Sequence, residues 1–324
     1  MRRRLLKIAG GTVIVIAVLL GAAWLAFVPF AKEPAYRFVA TWGERGTGPG
    51  QFRDPTGIAI AGKEVFVADA RNGRIQVFDP DGRFLRAFGQ PGKGRGELGR
   101  PMNLAVKDGE LYVPEYFNDR IQIFGLDGTP KRIIGEPGDG PGQFNAPGGV
   151  AVGPDGTLYV ADFYNQRVQR LNPDGSYVGQ WGKTGVPGIW SGQLSYPTDV
   201  ALSEGGTLFV ADGYNDRVQV FTADGDFSHK WGGPFGLNIH GPFKGWFTTV
   251  TSIAVGPKGN VFVADFYNHR IQKFAPDGTF LTSFGSWGSG PGEFEYPIAV
   301  AIAADGTVLV ADFGNNRIQK WRPR

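Results

Sequence analysis

One phrase occurs six times between Val67 and Gln319, and this repetition restricts the possible folds more than any other feature of the chain. It reads Val67-Ala68-Asp69 through Arg74-Ile75-Gln76 in the first copy and Val113-Pro114-Glu115 through Arg120-Ile121-Gln122 in the second. The later copies run from Val160 to Gln169, Val210 to Gln219, Val263 to Gln272 and Val310 to Gln319. The arginines Arg74, Arg120, Arg167, Arg217, Arg270 and Arg317 fall 46, 47, 50, 53 and 47 residues apart. That period is too long for a leucine-rich or ankyrin unit and suits four short strands with their turns.

Each copy divides accordingly. A strand of small residues comes first (Gly57 to Ile60; Gly149 to Val152), a Gly-containing turn follows, and a second, apolar strand runs from Val65 to Ala68 or from Leu158 to Ala161. The Asp-x-x-Asn-x-Arg loop then opens a third strand (Ile75 to Phe78; Val168 to Leu171). Asp-Gly pairs, from Asp81-Gly82 to Asp277-Gly278, make tight hairpins into a fourth strand that ends at Phe88-Gly89, Trp181-Gly182, Trp231-Gly232 or Phe284-Gly285. The second and third strands are nearly continuous apolar runs, as expected when each sheet is covered on both faces by its neighbours. Six such sheets around an axis form an all-β, six-bladed β-propeller. The sixth copy stops before its fourth strand, at Trp321 to Arg324, whereas Arg37 to Trp42 precedes the first copy as a spare fourth strand. Pairing the two closes the ring and removes free edges, where an open solenoid would need capping repeats.

Composition sets further bounds. Gly (51) and Pro (23) make up about 23% of the 324 residues, close to the level expected of a disordered chain. Disorder is nonetheless excluded by the period of the glycines and by a hydrophobic content of 42%. The absence of cysteine excludes a disulfide framework, a Cys-ligated zinc site and thiol catalysis. The net charge of +3 is a property of one end. Residues 1–34 hold Arg2, Arg3, Arg4, Lys7 and Lys32 against Glu33, leaving 28 basic and 29 acidic residues in the remainder. A propeller without a basic surplus is not expected to bind nucleic acid.

From Ile8 to Phe30 the chain runs 23 residues without a charge, directly after the basic cluster. At ~1.5 Å per residue this run spans the roughly 30 Å hydrocarbon layer. The expectation is a single uncleaved transmembrane helix within residues 1–34, preceding a propeller over residues 35–324. The apolar core of a cleaved signal peptide would be only about 7 to 15 residues. Its small-residue cleavage site would have to be Gly21 to Ala23, inside the run. By the positive-inside rule, Arg2 to Lys7 stay in the cytoplasm and everything after Lys32 crosses, placing the propeller on the extracytoplasmic side of the cytoplasmic membrane.

The phrase Val263-Ala264-Asp265-Phe266-Tyr267-Asn268-His269-Arg270-Ile271-Gln272-Lys273-Phe274, preceded by Ile253-Ala254-Val255 and followed by Asp277-Gly278, resembles the NHL repeat. The resemblance covers residues 35–324 in six copies and implies the same six-bladed propeller. It is less specific for activity. Similar propellers serve as protein-binding or RNA-binding modules, as sensor domains of membrane kinases and as peptide-amidating lyases that hold zinc with histidines from several blades.

The recurring acid and arginine pairs, such as Asp69 with Arg74, read as scaffold, since a catalytic site breaks symmetry. At the position before each of these arginines only one copy has histidine, His269; His240 lies in a link and His229 on a fourth strand. Without three convergent histidines a zinc-hydroxide mechanism lacks its ligands. His240 and His269 are therefore only marginal metal candidates, no catalytic residue is assigned and no cofactor is expected. The asymmetric residues are aromatic. The loops between second and third strands carry Tyr116, Phe117, Phe163, Tyr164, Tyr214, Phe266, Tyr267 and Phe313, and two expanded links carry Trp190 and Trp246. All belong to one face, a candidate surface for a protein, peptide or envelope ligand. Asp199 starts the innermost strand of the fourth copy and is expected to face the channel mouth. A metal-dependent lyase or hydrolase resembling the amidating lyases is the alternative.

Overall fold

The computed structural model describes Gly21 and residues 27–324. The expected anchor, apart from Gly21 and residues 27–34, therefore lies outside the described residues. No helix among the described residues is long and apolar enough to cross a membrane.

Among the described residues, twenty-four strands form six four-stranded antiparallel sheets. Blade 1 runs outward from the axis as Pro55–Ala61, Glu64–Asp69, Arg74–Phe78 and Phe84–Phe88, and blades 2 to 5 repeat that order. Blade 6 takes its inner three strands from Pro297–Ile302, Val308–Asp312 and Arg317–Arg322. Its outer strand is Arg37–Trp42, paired antiparallel with Trp42 opposite Ile318. The first strand thus closes the ring, as the truncated sixth copy implies.

The core sits between blades. Phe66, Ile75 and Val77 of blade 1 pack against Leu111, Val113 and Phe124 of blade 2, and five equivalent clusters occupy the other junctions. Each link drives one apolar side chain into a junction: Phe52, Leu98, Phe144, Leu194, Phe247 and Phe294 are all fully buried. Burying such a side chain stabilises the fold by roughly 1.5–3 kcal/mol. The glycine that ends an outer strand makes room for it. At Gly135 (φ +82°) a Cβ would lie 2.2 Å from the Phe144 ring, so both the backbone angle and the close approach demand glycine.

The repeat phrase builds a buried knot, seen most completely in blade 4. The Asp212 carboxylate accepts hydrogen bonds from Arg217 Nε (2.7 Å), Asn215 Nδ2 (2.9 Å), Gln219 Nε2 (2.9 Å) and the Ser195 amide (2.7 Å). Arg217 donates onward to the carbonyls of Trp190 and Gln193, and Gln219 accepts from the Gly192 amide. Both charged side chains are fully buried. The other five blades repeat the arrangement around Asp69, Glu115, Asp162, Asp265 and Asp312. Each knot therefore staples a link, with its backbone polar groups, to two strands of its own blade.

Removing one member strands the rest. Asp212→Ala is expected to lower unfolding stability in a urea titration by about 3–5 kcal/mol, because the Arg217 guanidinium stays buried without its carboxylate. Arg71→Ala, which breaks an exposed pair with Asp54, should cost under about 1 kcal/mol. Equal losses in the two variants would contradict this assignment.

Candidate functional site

The face that carries the links and the loops between second and third strands is shaped by left-handed residues. The residue before each repeat arginine has φ between 51° and 61°: Gly73, Asp119, Gln166, Asp216, His269 and Asn316. Five of the six have a side chain, and each accepts the backbone amide of a residue in the next link. The pairs are Asp119 with Ala146 (2.7 Å), Gln166 with Tyr196 (2.7 Å), Asp216 with Thr249 (2.6 Å), His269 Nδ1 with Tyr296 (3.2 Å) and Asn316 with Asp54 (3.1 Å). The position is a clasp between blades. His269 serves it as a neutral acceptor, and burial pushes its pKa down, which favours that form.

These clasps fix the loops that present the aromatic residues. Tyr116, Phe163, Tyr164, Tyr196 and Tyr214 form a chain of ring contacts with centroids 4.8–6.2 Å apart. The hydroxyls of Tyr116 and Tyr164 share a hydrogen bond of 2.9 Å, and burial raises the Tyr116 pKa so that this hydroxyl stays protonated. A second group joins Phe266 to Tyr267 and Tyr296 at 5.0 Å, with Phe313 at its edge 6.4 Å away. The Arg100 guanidinium lies 5.6 Å from the Tyr116 ring and 5.5 Å from that of Phe117. The rims are open: Phe117 is 62% exposed, and Tyr214 and Tyr267 are each 55% exposed.

Together the two groups border a bowl of about 340 Å³ over the central axis. Its walls include Tyr116, Phe163, Tyr214, Phe266 and Tyr267, and its floor includes Thr56, Met102, Thr198, Thr251 and Ile298. The Thr56 and Thr198 hydroxyls already donate to the neighbouring carbonyls of Pro101 and Val250. The floor consequently presents mostly carbon. Apart from Arg100, the lining carries no charged side chain.

Of the expected aromatic set, Tyr116, Phe163, Tyr214, Phe266 and Tyr267 line the bowl, Phe117, Tyr164 and Phe313 touch those rings from outside its lining, and two residues stand apart. Trp190 lies in its link outside the bowl, exposed at 62%. Trp246 is half-buried, and its indole donates to the Phe27 carbonyl of the N-terminal segment. Tyr196, Tyr296 and Arg100 are additions. All three sit at the left-handed link position just before Pro197, Pro297 and Pro101, where a recurring X-Pro step was visible in the chain. The histidines do not converge. His240 is exposed, 3.9 Å from Asp216, and His229 contacts the Pro276 carbonyl. Among the described residues, no group of three or more His, Asp or Glu side chains is placed to hold a metal ion.

The NHL repeat model matches residues 52–78, 144–171, 194–221, 247–274 and 294–321. The chain belongs to the NHL-repeat propeller family. The unmatched copy is blade 2, where Pro114-Glu115 replaces the usual Ala-Asp, yet the propeller keeps that blade and its knot. Over 57 residues the NHL propeller is 39% identical to the protein brain tumor of Drosophila melanogaster, a stretch of 18% of this chain and 6% of that protein. The match therefore spans a small part of that relative's length. In shape it resembles a virginiamycin B lyase from Staphylococcus aureus, solved as an inactive variant with quinupristin. That comparison has TM-score 0.57 and 18% identity, over 89% of this chain and 87% of the other. A protein of unknown function from Bacteroides thetaiotaomicron superimposes with TM-score 0.64 and 17% identity, covering 88% of this chain and 76% of the other. At these identities the likeness is one of fold.

Below the bowl the axis of the NHL propeller is occupied. Asp199 is buried at 2% exposure instead of facing the mouth. Its carboxylate accepts from the amides of Val200 (2.9 Å) and Ile253 (3.0 Å) and from the side chains of Asn103 and Ser252. Gly149 makes this possible, since a Cβ there would lie 2.0 Å from Asp199 Oδ1. Donors surround the carboxylate but no cation does, and burial pushes its pKa up to about 7. A value above the unfolded one means that Asp199's own contribution to stability is greatest below about pH 4 and is lost as pH rises toward 7. Asp199→Asn removes that ionisation. Its melting temperature should therefore gain on the parent chain by on the order of 5 °C between pH 4 and pH 8. A difference that does not change with pH would contradict the burial argument.

Proposed function

We propose that this NHL propeller is held at the cytoplasmic membrane by residues 1–34, with residues 35–324 on the extracytoplasmic side, and that its aromatic bowl binds a protein or peptide ligand. The observation that carries the binding reading is the contrast between a symmetric interior and one decorated face. The knots recur in every blade around a fully buried carboxylate, whereas Tyr116, Phe163, Tyr214 and Tyr267 gather around a single concave, largely uncharged opening. Aromatic side chains on a rigid rim are the usual anchors of protein recognition, because they bury large apolar area with little loss of side-chain freedom. NHL propellers commonly bind proteins, which accords with this reading. The 23-residue uncharged run behind a basic cluster supports the anchor. The alternative, a metal-dependent lyase, needs a ligand set that His229, His240 and His269 do not form.

The test pans a random peptide library against the detergent-purified full chain and measures the affinity of selected peptides. The triple substitution Tyr116→Ala, Tyr214→Ala and Tyr267→Ala should weaken them at least about a hundredfold, at ~1 kcal/mol or more per anchor lost. Lys63→Ala, in a turn of the opposite face, should leave affinity unchanged. Peptides whose binding survives the triple substitution in a folded protein would overturn the assignment.

A further inference from the structure

We infer that the rim around Phe30, Phe235 and Ile239 seats on the bilayer interface beside the point where the N-terminal apolar segment leaves it, an inference that rests on the anchor reading above. The first argument is the lack of slack. The uncharged run ends at Phe30, yet the chain is already fastened to the propeller at Phe27, whose carbonyl accepts the Trp246 indole and whose ring lies 5.2 Å from that of Phe235. Further along, the amides of Lys32 and Glu33 both donate to the Leu281 carbonyl, at 2.8 and 3.0 Å. The uncharged stretch 8–26 is long enough, at ~1.5 Å per residue, to cross the hydrocarbon layer if helical. A segment that spans the bilayer and is tied to the propeller from its next residue leaves no free tether. The surface around Phe27 must then lie at headgroup level.

The chemistry of that surface agrees. Phe30 is 69% exposed, Phe235 71% and Ile239 43%. Phe235 is also held in the left-handed region (φ 59°, ψ 7°), where a bulky residue is strained, with its ring directed to solvent. The groove beside these residues includes Lys32 and Lys230 and no acidic side chain, and Lys244 is exposed nearby. Aromatic rings interleaved with lysines are the composition of an interfacial seat on anionic lipid. The seat lies at the outer edge of blades 4 and 5, where the link residues Gly233 and Phe235 meet Gly278 and Thr279 of the neighbouring hairpin turn.

The chain has no cysteine, so a single reporter can be placed at will. Phe235→Cys, Ile239→Cys and, in a turn of the opposite face, Lys63→Cys would each be labelled with an environment-sensitive fluorophore in the full chain. Each is reconstituted into phosphatidylcholine–phosphatidylglycerol vesicles with a spin-labelled quencher lipid. Quenching at 235 and 239 should exceed that at 63 several-fold, with blue-shifted emission. Labels at 235 and 239 as wet as that at 63, on chains that still float with the vesicles, would overturn the seat and leave the anchor standing. Chains that do not float with the vesicles would overturn the anchor and the seat together.

Discussion

Everything in this propeller depends on the buried pairing of an acid with an arginine two strands' width from the axis, repeated in every blade. A buried ion pair contributes little by charge alone, because desolvation offsets most of the attraction. Its effect here comes from the hydrogen bonds it completes. In blade 4 the pair of Asp212 and Arg217 supplies partners to Asn215, Gln219, a link amide and four link carbonyls. Those backbone groups would otherwise be buried without partners as the link descends from the rim to the axis. The Gly-rich links, flexible by composition, therefore acquire one conformation.

A fixed link makes a fixed face. In five of the six loops a clasp to the next link passes the constraint between blades, and the side chain doing so varies among Asp, Gln, His and Asn while its geometry does not. The variable positions are those facing outward, and there the chain places aromatic rings around one opening. Beneath them Asp199 and Asn103 cross the axis where Gly149 leaves space. The opening is consequently a bowl and not a pore.

Most of the architecture was legible because it follows from local chemistry repeated at a fixed period. Asp-Gly turns, continuous apolar strands and the unpaired strand Arg37–Trp42 led directly to a closed ring of six blades. The acid and arginine pairs were readable as scaffold, but the glutamine of the same phrase passed without a role because its contacts lie in a different strand and link. Asp199 was read as facing the mouth. Strand alternation alone does not reveal that Gly149, Asn103 and Ser252 of other blades enclose it. Trp246 was grouped with the aromatic face by sequence position, and only the path of the N-terminal segment places a backbone carbonyl against it. Tyr196 and Tyr296 were missed because their loops differ from those that carry the other rings, although all converge above the axis. The anchor reading rests on residues that lie mostly outside those described.

The central claim is that a symmetric, internally tied scaffold presents a single recognition surface. Hydrogen exchange by mass spectrometry, on the full chain with and without a bound peptide, tests it most directly. The account predicts added protection confined to the loops around Tyr116, Phe163, Tyr214 and Tyr267, with the hairpin turns of the opposite face unchanged. Protection centred on those turns, or spread evenly over all six blades, would contradict it.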